Sequence, residues 1–241
     1  MTCTIIAWNI AWRRLQSAAG REMRDRIFSL APNVVCITEG HTDFLPDQGH
    51  VITSEANYGY RIKEGRRKVQ LWSREPWREI DQVGHPSLPG GRFVSGRTAT
   101  PLGSIRFLGV CIPWSHAHVT TGRRDRHPWE DHLSFFVGLT EVLRFYRRQE
   151  RMVVVGDYNQ TVPRTRAPKK AHEALLKMVG SDLVLATRGL FPEVDKLAID
   201  HVAHTKGLRA VSAQAISNVA ADGSRLSDHF GVRIDLTVGD P

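Results

Sequence analysis

Strand-length apolar runs that end on a polar residue recur along this chain: IIAW stops at Asn9, VVCIT at Glu39, VVVG at Asp157, and LAI at Asp200. A fifth motif, Ser227-Asp228-His229, opens the last apolar run. Runs this short do not make helices, and continuous apolarity fits strands covered on both faces. A carboxylate, amide or imidazole at each strand end predicts that the ends converge on a cation or a phosphate.

Between these runs lie helix-like segments. Arg21–Leu30 carries Met23, Ile27 and Leu30 at helical spacing, and Pro32 stops it. Pro128–Arg148 reads as a longer helix, with Glu130 and Asp131 at its positive end and Arg144, Arg147 and Arg148 at its negative end. Leu133, Phe136, Val137, Thr140 and Leu143 are its predicted inward stripe. Ala171–Val179 is a third helix, closed by Gly180. Further strands are predicted at Val69–Ser73, Ile105–Ile112, Leu183–Ala186, Ala198–Ala203, Arg209–Ile216 and Gly231–Val238. The motifs run from one end of the chain to the other with no linker or repeat, which predicts one α/β domain over residues 1–241.

With 41% hydrophobic and 24% charged residues the chain can bury a core, which excludes a disordered protein. Its net charge of +8 points to a polyanionic partner: nucleic acid, an anionic membrane surface or a phosphorylated substrate. Three cysteines without a CxxC pair, and no signal-like N-terminus, predict a reducing, cytoplasmic setting. No apolar run approaches the roughly 20 residues of a membrane span.

Asp157 and Asn159 follow VVVG at alternating positions, so both project to one side once Gly156 lets the strand bend. A carboxylate there can take a proton from water while the amide donates to a phosphoryl oxygen. Asp200 lies in an otherwise apolar run and needs a partner. His201 and His229 are both candidates; His229 is favoured, because Asp228 beside it offers a metal ligand at the same strand end. Asn9, Glu39, Asp157, Asn159 and Asp228 form an oxygen-rich ensemble, without the Cys and His spacing of zinc sites, which suits Mg²⁺ or Mn²⁺.

The ordered set AWNI at 7–10, APNVVCITEG at 31–40, GVCIP at 109–113, VVVGDYN at 153–159, AIDHV at 198–202 and SDHFGV at 227–232 resembles the endonuclease/exonuclease/phosphatase superfamily, DNase I-like and exonuclease III-like. The resemblance implies a four-layer sandwich of two mixed β-sheets flanked by helices, with the site at the mouth between the sheets. It implies Glu39 as principal metal ligand with Asn9 and Asp228 nearby, Asp157 activating water, Asn159 holding the phosphoryl group, and His229, oriented by Asp200, at the scissile phosphate. The implied reaction is Mg²⁺-dependent in-line hydrolysis of a phosphoester.

The chain departs from that pattern where substrate is chosen. Abasic-site endonucleases of the family carry Asp where Ala11 stands and a Tyr, which is His in DNase I-like members, where this chain has Cys111. A thiol is a poor phosphate contact, and His116 or His118 are candidates to reach in from the next loop. Basic residues gather at Arg61–Lys68, at Arg123, Arg124 and Arg126, and at Arg164, Arg166, Lys169 and Lys170. The second and third groups follow strands that end at the inferred site, so they are expected to hold backbone phosphates, with Trp114 and Trp129 available for stacking. The expectation is a nuclease acting on nucleic acid, DNA before RNA. The alternative is a phosphatase or phosphodiesterase for a small phosphorylated metabolite or lipid headgroup.

Overall fold

A computed structural model describes residues 1–146, 151–180 and 182–239. Arg147 and Arg148, expected at the end of the long helix, lie outside the described residues. In chain order the first elements are β1 (Cys3–Asn9), α1 (Ala18–Ser29), β2 (Val34–His41), β3 (His50–Thr53), β4 (Arg66–Ser73), β5 (Arg78–Asp81), β6 (Phe93–Thr100) and β7 (Gly103–Cys111). There follow α2 (Glu130–Tyr146), β8 (Met152–Asp157), α3 (Lys169–Val179), β9 (Leu183–Leu185), β10 (Leu190–Phe191), β11 (Lys196–Leu197), β12 (Asp200–Thr205), β13 (Leu208–Ile216) and β14 (Gly231–Val238).

Two six-stranded sheets are built from them, in the orders β13-β14-β1-β2-β4-β3 and β5-β6-β7-β8-β12-β9, and β10 and β11 pair separately. Each sheet is mixed: β1 runs parallel to β2 and β7 parallel to β8, while their other neighbours are antiparallel. The period-two alternation of strands sends successive side chains to opposite faces. Ile5, Ala7, Cys36, Val69 and Leu71 of the first sheet thus meet Phe107, Val153, Val155 and Val202 of the second in a dry core. The alternate residues Ile6, Trp8, Val35 and Ile37 pack outward on Met23 and Ile27 of α1. Leu108, Val110 and Val154 pack on Phe135 and Leu139 of α2 and Leu175 of α3. The architecture is the expected four-layer sandwich.

Helix α2 differs from expectation in phase. Its buried residues are His132, Phe135, Phe136, Leu139, Val142 and Tyr146, together with Asp131 and Gly138. Val137, placed on the inward stripe from the sequence, is 62% exposed. A buried imidazole at His132 shifts the stripe, because its Nδ1 donates to the Pro113 carbonyl at 2.6 Å and holds that face against the sheet. Among the described residues no helix is long and apolar enough to cross a membrane.

Candidate active site

The polar motifs meet at one mouth of the sandwich, carried by three strands of one sheet and two of the other. Asn9, Glu39 and the Asp228-His229 pair come with β1, β2 and the entry to β14. Asp157, Asn159 and Asp200 come with β8, its exit and β12. A cavity of about 270 Å³ is lined by Asn9, Glu39, Asp157, Asn159, Asp228 and His229, together with Lys68, Arg92, Cys111 and Trp114.

Asp157 reaches this cavity because Gly156 has φ 137° and approaches β7 closely; a Cβ there would lie 2.0 Å from the Val110 carbonyl oxygen. Only glycine has room for that path. The Asp157 carboxylate is then gripped on both oxygens. Its Oδ1 accepts the Asn159 N–H at 2.8 Å, and its Oδ2 accepts Nδ2 of Asn9 at 2.9 Å and of Asn159 at 3.0 Å. The Asn9 amide is oriented by the Ala11 N–H, which donates to its Oδ1 at 2.9 Å. Asn159, at φ 52°, sends its second amide hydrogen to the Ile112 carbonyl at 2.8 Å. Burial drives the Asp157 carboxyl above its ordinary range, and the like charges of Asp200 and Glu39 add to that against the opposing pull of His229 and Asn9.

Asp200 pairs across the β8–β12 ladder with Asp157 and reaches over to the other sheet, where its Oδ2 lies 2.8 Å from Nδ1 of His229. Burial opposes a charge on His229, but Asp200, Asp157 and Asp228 outweigh it and raise the imidazole to about 10. The His229 loop is pinned to β1: Trp8 Nε1 donates to the His229 carbonyl at 2.9 Å, and Ser227 Oγ donates to the Asn9 carbonyl at 2.7 Å. His201, the other candidate partner, faces away. Its Nε2 donates to the Gln160 carbonyl at 2.9 Å and its Nδ1 accepts from Thr187 at 2.7 Å.

Glu39 sits between the register pairs Thr38–Val69 and Gly40–Arg67, which sets it opposite Lys68 on β4. Lys68 Nζ lies 2.5 Å from Glu39 Oε1. Asp228 is exposed and accepts a hydrogen bond from Ser227 Oγ at 3.3 Å. Ligand atoms of Asp157, Asp200 and His229 fall within 4.8 Å of one another. The donor set fits a hard divalent cation, since three carboxylates, Glu39, Asp157 and Asp228, face one small cavity. A cation there would favour the ionised form that burial penalises.

A model of the Endonuclease/Exonuclease/phosphatase family matches residues 6–229. The chain belongs to this family. Membership assigns it to a family of phosphoester hydrolases. Comparison with curated protein sequences finds no match. Among solved structures, the chain is similar to the 3′ phosphatase NExo from Neisseria bound to a product DNA hairpin, with 16% identity, 96% of this chain and 98% of that one covered, and a TM-score of 0.71. It is also similar to the endonuclease/exonuclease/phosphatase from Bacteroides vulgatus, at 14% identity, 99% coverage of each chain and a TM-score of 0.69. The catalytic domain of human Nocturnin gives 13% identity, 98% and 93% coverage and a TM-score of 0.67. At these identities the likeness is one of fold.

In this member of the endonuclease/exonuclease/phosphatase family the arginines expected to hold phosphates are not among the residues that line the cavity. Arg123, Arg124, Arg126, Arg164 and Arg166 line neither the catalytic cavity nor the one beside it. Arg123 pairs with Asp125, Arg126 with Asp131, and Arg164 donates to the Ala167 carbonyl. Trp114 does line the cavity. His118 is held by Asp131 and the Gly59 carbonyl, and His116 lies against Ser115 and Trp114. Cys111 is a buried thiol pushed up to about 12 by desolvation.

Two cations stand beside Cys111: Lys68, and Arg92, which sequence reading missed. Arg92 is 2% exposed, and its guanidinium donates to the Cys111 carbonyl at 3.3 Å. Gly91, at φ 66°, lets the preceding loop press on Asn57, where a Cβ would meet the carbonyl at 2.3 Å, and so delivers Arg92 to the cavity. An arginine after two glycines carries no motif. Only its burial marks it.

Proposed function

We propose that this protein is a divalent-metal-dependent phosphodiesterase acting on nucleic acid, DNA in the first instance. The observation that carries the reading is the Asp157 carboxylate, raised in basicity and aimed by Asn9 and Asn159, in the same cavity as His229, which Asp200 holds from behind. Mg²⁺ or Mn²⁺ held by Glu39 and Asp228 would supply charge neutralisation at the phosphoryl and leaving oxygens.

Asp157 takes a proton from water as the water oxygen bonds to phosphorus and the bond to the leaving oxygen breaks in line. His229, charged and held by Asp200, donates to a phosphoryl oxygen as negative charge grows there. Both Asn159 amide hydrogens are already spent on Asp157 and Ile112, so Asn159 aims the base. Arg92 supplies the phosphate contact that Cys111 cannot. The net charge of +8 supports a polyanionic substrate, and three free cysteines, all buried, support a reducing cytoplasmic setting.

A second reading, hydrolysis of a small phosphoester, draws support from the limited catalytic cavity of about 270 Å³. A cleavage panel with Mg²⁺ and Mn²⁺ separates the two: supercoiled plasmid, linear duplex, single strand, abasic duplex, RNA and small phosphoesters. Divalent-dependent cleavage of a nucleic acid, lost in Asp157→Asn, is expected. Full activity in that variant would sink the mechanism, and turnover confined to small esters would favour the second reading.

A further inference from the structure

Next to the catalytic cavity lies a larger one, of about 380 Å³, that the reaction itself does not require. The two share Glu39, Lys68, Arg92 and Trp114 and so communicate directly. One wall is a run of stacked rings. Trp12 lies on Tyr58 with centroids 6.0 Å apart and planes at 24°, Tyr58 meets Tyr60 at 5.9 Å, and Tyr60 stacks on His118 at 4.4 Å. His118 anchors the end of the run through Asp131 and the Gly59 carbonyl, and its N–H donates to Tyr60 Oη at 3.1 Å. The wall is thus fixed before any ligand arrives, which lowers the entropic cost of binding.

The charge in this cavity is one-sided. Arg61, Lys63, Arg66, Lys68 and Arg92 line it against the single carboxylate of Glu39, which Lys68 already engages. Arg61, Lys63, Arg66 and Arg92 have no ion pair among the described residues. The Arg66 guanidinium lies 4.6 Å over the Trp12 ring, so cation and π face are presented together. Trp114, 42% exposed, adds a ring at the passage between the cavities. Planar faces combined with unpaired cations match a ligand that combines a planar ring with anions. A sugar phosphate lacks the ring, and a lipid tail lacks the charge. The volume suits one small ligand, near the lower bound of about 300 Å³ for such pockets.

We infer that this cavity is a subsite for a single nucleotide unit flanked by two phosphates. Its base lies on the aromatic wall and Trp114, its outer phosphate on Arg61, Lys63 and Arg66, and its inner phosphate passes Arg92 into the catalytic cavity. The inference rests on the hydrolase reading above and deepens it: a single unpaired nucleotide next to the scissile bond, and no longer a length of duplex, sets the register of the cut.

The probe is deoxyadenosine 3′,5′-bisphosphate, titrated calorimetrically into the whole protein in EDTA, beside deoxyadenosine 5′-monophosphate and pyrophosphate. The bisphosphate is expected to bind at least tenfold more tightly than either. Arg61→Ala/Arg66→Ala should lose at least tenfold of that affinity, and Trp114→Ala should bring the bisphosphate down toward pyrophosphate. Arg61 is exposed, so Arg61→Glu gives the same test should the double variant fail to fold. Equal affinity for bisphosphate and pyrophosphate, or unchanged binding in the arginine variants, overturns the subsite. Turnover of bis(p-nitrophenyl) phosphate with Mn²⁺ is measured alongside. Turnover without nucleotide binding overturns the subsite and leaves the hydrolase standing, and binding without turnover does the reverse.

Discussion

His229 Nδ1 and Asp200 Oδ2 stand 2.8 Å apart although Asp200 opens β12 and His229 lies on the loop into β14 of the other sheet. The pair acts as a unit in the proposed reaction, so Asp200→Asn and His229→Gln should each lower kcat by roughly 10² to 10⁴. Their combination should cost little more than one alone. A double variant whose loss is the product of the single losses would show that the two side chains work independently.

Asn9 contributes one of the three hydrogen bonds that aim Asp157. Asn9→Ala should reduce kcat by about ten- to a hundredfold, as expected for a small misplacement of a catalytic group. KM should stay near its original value, because the substrate contacts are untouched. A KM change with kcat preserved would place Asn9 in binding instead.

Lys68 occupies Glu39 as its counter-ion. A divalent cation at Glu39 must displace that ammonium or share the carboxylate with it. Lys68→Met should therefore tighten Mn²⁺ binding by about five- to tenfold, close to 1 kcal/mol, a scale appropriate to a partly exposed ion pair. Paramagnetic titration of Mn²⁺ measures it; weaker binding in the variant would mean that Lys68 holds Glu39 in its ligating pose.

His132 and His201 are both buried, and desolvation lowers each to about 4 against the opposing pull of its carbonyl partner. Unfolded, each takes its proton near pH 6.5. Stability is therefore full above pH 6.5, falls as the pH drops toward 4, and levels below that, since the unfolded chain binds protons the folded chain refuses. The loss should reach about 3 kcal/mol for each residue, read by urea denaturation across that window. His201→Gln should flatten the slope.

Gly156→Ala should destabilise the fold by about 3 kcal/mol or more, because the new Cβ meets the Val110 carbonyl and φ lies at 137°. Chemical denaturation tests this; a loss below about 1 kcal/mol would mean that β7 and β8 can part at little cost.

Much of the fold was legible because its central strands are continuous apolar runs, such as Val153–Val155 and Val34–Ile37, that no other element suits. Strands β3, β5 and β6 were not. Arg78–Asp81 is nearly all exposed, and Phe93–Thr100, although mostly buried, is interrupted in sequence by Ser95, Gly96 and Arg97, so neither reads as a continuous apolar run. Asn9, Glu39, Asp157, Asn159, Asp228 and His229 line one cavity, with Asp200 bonded to His229 behind it, because each stands on or within three residues of a strand and sheet topology fixes the strands. The substrate-facing residues come from loops. Trp114 was expected there from its place after the central strand, but Trp12, Tyr58 and Arg92 join it by chain folding alone, and nothing in their local sequences marks the meeting. The arginines after Pro113 and Pro163 follow the site in sequence, yet none of them lines either cavity.

The Asn9–Asp157 and His229–Asp200 bonds span the seam between the two halves of the sandwich. The proposed base and phosphate contact are thus registered against each other by two hydrogen bonds whose partners are set in different sheets, and the dry interior holds those sheets together. Gentle acid or low denaturant that loosens this interior while leaving each ladder intact should silence the protein before its far-ultraviolet dichroism changes. Catalysis would then serve as a gauge of how tightly the halves are clasped.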